Sequence, residues 1–391
     1  MISGPKKGRR TTIYDIASAT EVSPTTVSLV LSGAWKKYRI KPSTASGVLE
    51  CARRLGYAVN LNARGLRLSR SGLAGMILPH HRNRFFAGLA EAFEEEARLR
   101  DLCPIVVSTH RNPDNELKVA EALLAQQVEF LFIAGVRDPG PLNALCRTAH
   151  TRCINVDLPG ANAPSVVSDN RKGALQLTNV MLDRLAKRGA DPADVVFFGG
   201  VADEDATRNR LAGFVEALQS RGLALREEMI ACCGYAPRNA AAYISGLHAQ
   251  LGRLPRGLFV NGVTALEGAL RALALLPKEQ GEAIVFGCFD WDPFAARLPF
   301  ELIMVRQDVE AMIAEAFALI DRPLSNGENP LILVPTRIAG AGESDGQIED
   351  WDIDLNRKHL QGIASVVPGL DNFPEPPPTL SSRKIAKAKS I

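Results

Sequence analysis

From residue 72 onward the chain alternates short apolar runs with stretches of helical periodicity, and this alternation leaves few folds open. The runs LAGMILP, CPIVVST, EFLFIAG, CINVDLP, VVFFGG, GLFVNG, IVFGCFD and LIMVRQ have the pattern of strands buried on both faces of a parallel sheet. Between most of them lie helical stretches at 86–100, 114–126, 171–188, 207–221 and 239–252. Strand and helix in alternation predict a doubly wound α/β body, and about eight strands over about 265 residues suffice for two lobes. No glycine-rich phosphate loop follows any strand, and Gly199-Gly200 alone is too weak to argue a nucleotide site.

The first 60 residues follow another rule. Thr12-Ile13-Tyr14-Asp15 fits a capping box, with Asp15 standing in for glutamate, and Ile13, Ile16 and Ala17 form an apolar stripe behind it. Ser23 is a good N-cap with Pro24 at the favoured first position, so a second helix runs to Leu31, burying Val27, Val30 and Leu31, before Ser32-Gly33 stops it. A third helix is expected over 42–55. Two short helices joined by a tight turn make the helix-turn-helix geometry, which points the amino end of its second helix into the DNA major groove.

Charge supports a polyanion partner for this head. Residues 1–70 hold thirteen Lys and Arg against Asp15, Glu21 and Glu50, a net of +10, so the formal +3 of the whole chain leaves −7 for the remainder. A small basic head on a mildly acidic body suggests a module for nucleic acid joined to one that need not touch it. At 391 residues and 46% hydrophobic content the chain suits a soluble protein of two or three domains. No apolar run is long enough to span a bilayer, and MISGPKKGRRTT lacks the apolar stretch of a signal peptide, so a cytoplasmic protein with no membrane partner is expected. Seven scattered cysteines, including the adjacent Cys232 and Cys233, form no C-x-x-C pair and read as buried thiols. From about residue 341 the periodicity ends; EPPP and SSRKIAKAKSI read as an unstructured tail, within which DWDIDLNRKHL could add a short docked segment.

TTIYDIASATEVSPTTVSLVLSG, then ARRLGYAVNLNARGLR, then SDNRKGA, RNRLAGF and FGCFDWDP, taken in this order, resemble the LacI/GalR family of bacterial transcription repressors over roughly residues 11–340. The resemblance implies a small all-α helix-turn-helix head (1–58), a hinge helix (59–72), and a two-lobed α/β body of the periplasmic-binding-protein type (73–340), ahead of the tail at 341–391. It also implies a double-stranded DNA operator, a small-molecule effector, and a homodimer or tetramer, with no cofactor, no metal and no catalysis.

Carried over residue by residue, the family's base readers fall on Pro24, Thr25 and Leu29. Thr12, Tyr14, Ser23, Thr26 and Ser28 complete the face toward the duplex. Many members place arginine where Leu29 stands. Leucine cannot pair with guanine but can cover a thymine methyl, unless Leu29 is simply helix core. Glu21 occupies a turn position usually held by glycine, so the turn is either strained or remodelled. The loop AWKKYRI is more basic than usual, and Lys36, Lys37 and Arg39 could meet phosphates, with Trp35 or Tyr38 stacking alongside. In the hinge, Leu66 takes the role of the minor-groove wedge, with Asn60, Ala63 and Arg64 beside it.

Ligands of α/β bodies lie at the C-terminal ends of the strands, in the cleft between lobes. Phe85, Phe86, Asp157, Asp169, Arg208, Arg210, Asn261, Asp290, Trp291 and Gln307 fall there, and Phe86, Arg210, Asn261, Asp290 and Gln307 match the family's ligand contacts best. Aromatic rings with Arg, Asp and Asn suit a sugar or polyol. Each residue has a plainer reading: Phe85 or Phe86 as core, Asp169 as a helix cap, one of Arg208 and Arg210 as surface. Asp290 with Asp292 could be paired catalytic carboxylates but lacks a nucleophile or metal cluster, and His80-His81 lacks a third ligand. The rival reading, a solute-binding protein of a sugar transport system, would need an export signal and no basic head.

Overall fold

The computed structural model describes residues 11–57, 70–295, 298, 300–322 and 327–340. Asn60, Ala63, Arg64 and Leu66, expected in the hinge, and the expected tail lie outside the described residues.

The head is built from α1 (Ile13–Thr20), α2 (Pro24–Leu31) and α3 (Pro42–Arg54). The Asp15 carboxylate accepts from both the backbone N–H and the hydroxyl of Thr12 at 2.7 Å, and Ser23 Oγ accepts from the Thr26 N–H at 3.1 Å. These contacts satisfy donors that a helix start leaves open. Glu21 does adopt the left-handed conformation, φ 53° and ψ 32°, so the turn keeps its geometry and carries a side chain there at a cost of about 1 kcal/mol. Ile16, Ala17, Val27, Val30, Ala45, Val48, Cys51 and Ala52 make the head core, with Leu31, Trp35 and Ile40 among the residues packed against it. Leu31 is thus half-buried rather than fully so.

The body holds two six-stranded sheets. The first contains β1 (Leu73–Leu78), β2 (Cys103–Ser108), β3 (Phe130–Ala134), β4 (Arg152–Val156), β5 (Ser165–Ser168) and β11 (Leu331–Val334), in the order β11-β5-β4-β3-β1-β2 and parallel throughout. The second contains β6 (Val195–Phe198), β7 (Ile230–Ala231), β8 (Gly257–Val260), β9 (Val285–Phe289), β10 (Glu301–Arg306) and β12 (Arg337–Gly340), in the order β12-β10-β9-β8-β6-β7. Only β12, beside β10, runs antiparallel among these pairs. All eight apolar runs are strands. The additional four are short or broken: β7 spans two residues, β5 is SVVS, and Pro335-Thr336 separates β11 from β12.

Helices cover both sheets. In the first lobe Phe93, Phe130, Phe132 and Phe317 share one aromatic cluster; in the second, Phe197, Phe214 and Phe259 do so. Each fully buried aromatic contributes about 1.5–3 kcal/mol relative to exposure. The chain passes between lobes three times: from β5 into the helix Asn170–Lys187, from β10 into the helix Val309–Asp321, and from β11 into β12. The Asp169 N–H donates to the Val334 carbonyl at 2.8 Å, tying the first crossing to the third. These three crossings make the hinge between the lobes, and Asp169 and Gln307 sit in it.

Candidate functional site: a cleft between the lobes

A cavity of about 540 Å³ lies between the carboxyl ends of the two sheets, within the usual size for a small-molecule site. Phe85, Phe86, Asp157, Arg210, Asp290 and Gln307 line it as expected, and the structure adds His80, Arg82, His110, Arg111, Glu204 and Tyr235. A wider depression of about 690 Å³, lined by residues including Arg188, Arg253 and Asp194, sits where β6, β8 and β9 begin. Doubly wound sheets do not place ligands at that end.

Arg210 stands at the centre. Its Nε donates to Asn170 Oδ1 at 2.7 Å, its Nη1 approaches the Asn261 carbonyl at 3.3 Å, and its guanidinium lies 3.8 Å from the Phe289 ring centroid. Asn261 does not line the cavity; it is fully buried behind Arg210 and donates to Thr207 Oγ1 at 3.1 Å. This packing requires Gly200, φ 78°, because a Cβ there would fall 2.0 Å from Asn261 Nδ2. The Gly199-Gly200 pair is therefore structural, passing the strand end beneath the site.

Besides Asn261, three expected residues fall away from the cavity wall: Arg208, Asp169 and Trp291. Arg208 and Arg210 are two positions apart on the helix Asp205–Ser220, roughly 200° around its axis, so only one can face inward. Arg208 is 61% exposed and pairs with Asp205 at 3.2 Å. Asp169 caps its helix, accepting from the Lys172 N–H at 3.1 Å. Trp291 packs on the second-lobe core with Arg306 stacked 5.0 Å from its ring.

Charges on the wall are coupled. Arg111 Nη1 donates to Glu204 Oε2 at 2.6 Å across the lobes, and the Tyr235 hydroxyl donates to Glu204 Oε1 at 2.6 Å. Burial alone would lower the Arg111 pKa, but Glu204 outweighs it and holds the guanidinium more firmly protonated. Burial, with Glu204 also opposing ionisation, raises the Tyr235 phenol well above its ordinary value. Arg84 pairs with Asp292 at 3.3 Å, and Arg137 pairs with Asp203, again across the lobes. Burial pushes the Asp157 carboxyl up to about 7, although Arg210 and Arg111 pull the other way. Gln307 Nε2 donates to Asp290 Oδ1, and Gln307 Oε1 is buried without a partner. An orphaned acceptor and a desolvated carboxyl are costly in a closed site and are satisfied by a ligand rich in hydroxyls.

His80, weighed beside His81 as a metal ligand, instead meets His110 Nδ1 to Nδ1 at 3.1 Å. No cluster of three metal-ligating side chains occurs among the described residues. Arg111, Glu204 and Tyr235 escaped the sequence reading because they follow or precede strand ends without an apolar-run signal of their own.

Comparisons with known proteins agree with this architecture. Residues 12–60 match the model described as bacterial regulatory proteins, lacI family; residues 71–250 match periplasmic binding proteins and sugar binding domain of LacI family; residues 182–340 match a periplasmic binding protein-like domain. The ribitol operon repressor of Klebsiella aerogenes is 39% identical over 221 residues, 56% of this chain and 82% of that protein. The sucrose operon repressor of Klebsiella pneumoniae is 31% identical over 83% of this chain and 95% of its own length. The lac repressor dimer bound to operator and an anti-inducer superposes with a TM-score of 0.68 at 19% identity, over 85% of this chain and 98% of that one.

Proposed function

Since the chain belongs to the LacI family of bacterial transcription regulators, which are DNA-binding proteins rather than enzymes, we propose that it is an operon repressor whose effector is a sugar or polyol bound between the lobes. The observation that carries this reading is the cleft itself: a cavity between the lobes that combines aromatic and apolar wall with Asp157, Arg210, Asp290 and Gln307, the last a residue of the crossing between lobes. A ligand that bridges Asp157 in one lobe and Arg210 and Asp290 in the other favours the closed arrangement of the hinge. In a homodimer, closure changes the spacing of paired hinge segments and so the affinity for operator.

On the DNA side, Leu29 is half-buried but is not among the side chains packed on the head core, which favours its role as a reader over its role as filler. Lys36, Lys37, Tyr38 and Arg39 are exposed, while Trp35 packs on the head core and anchors the loop that presents them. These cations supply phosphate contacts, and Leu66 with Asn60, Ala63 and Arg64 supplies the minor-groove wedge. Selection of operators from random duplexes should return A·T at the base pair facing Leu29. Leu29→Arg should shift that position to G·C, with discrimination of about 1–3 kcal/mol; an unchanged preference removes Leu29 from the readout.

The effector reading is tested by thermal shift of the full chain against sugars and polyols, followed by operator binding with each hit. A ligand at a hundred times its Kd adds about 2.7 kcal/mol to stability. A panel that leaves both unfolding and operator affinity untouched rejects the reading.

A further inference from the structure

One corner of the cavity carries charge that a neutral sugar does not need. His80 and His110 meet Nδ1 to Nδ1 at 3.1 Å, with ring centroids 5.1 Å apart, so one ring donates to the other and each Nε2 is left for another partner. Arg82 stands at the same mouth, exposed, and no carboxylate is paired with it among the described residues. Burial, then the positive charges of His110, Arg111 and Arg82, hold the His80 imidazolium below its usual range, and no acidic group acts on it. The other acids of the cavity wall face other groups: Glu204 holds Arg111 and Tyr235, Asp290 holds Gln307, Glu267 pairs with Arg271, and Asp157 lies under the influence of Arg210 and Arg111. Like charges gathered without a counter-charge cost free energy that an arriving anion removes.

We propose that His80, Arg82 and His110 form an oxyanion subsite, and that the effector is a charged sugar or polyol derivative, a phosphate ester or a carboxylate, rather than the neutral parent. The proposal rests on the cleft being the effector site. Both anions offer planar or tetrahedral oxygens that accept charge-assisted hydrogen bonds from a guanidinium and imidazole edges. The remaining wall, with Asp157, Arg210, Asp290 and Gln307, takes the hydroxyls.

Calorimetry of the full chain with ribitol, ribitol 5-phosphate, ribonate and inorganic phosphate tests it. One of the two charged polyols should bind about tenfold or more tightly than ribitol, which of them does so distinguishing the phosphate ester from the carboxylate, and inorganic phosphate should compete with it. In R82Q/H110N that preference should vanish; asparagine suits the left-handed backbone of His110, φ 59°, so the variant keeps the loop. A preference that survives in R82Q/H110N overturns the subsite. If ribitol binds as tightly as its derivatives and is lost in Arg210→Met, the subsite falls and the cleft reading stands. If none of the four gives heat while another neutral sugar or polyol of the thermal-shift panel binds, the subsite falls and the cleft reading stands; if nothing in the panel binds either, both fall.

Discussion

Arg210→Met should abolish the response of operator binding to effector while leaving operator affinity without effector intact. Arg210 is 4% exposed, and its guanidinium satisfies Asn170 and Asn261, stacks on Phe289 and is the strongest positive influence on Asp157. Methionine fills similar volume but leaves Asn170 Oδ1 without this donor and Asp157 without its main counter-charge. Losing one partner of a buried polar network costs about 2–4 kcal/mol, so the body should unfold at lower urea with an unchanged slope. The head carries a separate core, so its recognition of DNA does not depend on this network. Gel-shift titration with and without a ligand from the thermal-shift screen reads the response. A variant that still responds places Arg210 outside the effector's reach.

The same residue shows where sequence reading succeeds and where it stops. Both arginines of RNRLAGF lie near a strand end, and linear position cannot separate them; helical phase does, once the start of the helix at Asp205 is known. The eight buried strands were legible because parallel sheets demand continuous apolar runs. The strand β7 was not, because two residues carry no periodicity, and Tyr235 just after it was missed for the same reason. Arg111 and Glu204 are 93 residues apart and meet only because two lobes fold separately and face each other. Head capping by Thr12, Asp15 and Ser23 was readable because it is local chemistry. Trp291 was misplaced because Asp290 takes φ 75°, turning the chain so that carboxylate and indole point to different sides.

Asp157 is the counterpart of Asp290 in the other lobe: each ends a central strand and each is left-handed, at φ 73° and 75°. Asp157→Asn should stabilise the ligand-free body above neutral pH and at the same time weaken effector binding. In the unfolded chain the carboxyl ionises near its ordinary value of 3.8, whereas in the fold burial holds it protonated up to about 7. Between those values the folded state binds the extra proton, so stability falls as pH rises through the window and levels off above it. A shift of about three units corresponds to about 4 kcal/mol at most. Asparagine cannot ionise and tolerates the left-handed backbone, so the wild-type minus variant difference should be flat below pH 4, grow more unfavourable to wild type up to pH 7, and then hold. Urea midpoints of both proteins from pH 4 to 8 measure it, and the difference cancels the other carboxylates. A difference that does not vary with pH would show that Asp157 ionises normally in the fold. Ligand hydroxyls that donate to the carboxylate offset its burial, so the wild-type penalty should shrink when the cavity is filled; the destabilised group in the empty cleft is thus a source of the free energy that couples binding to closure.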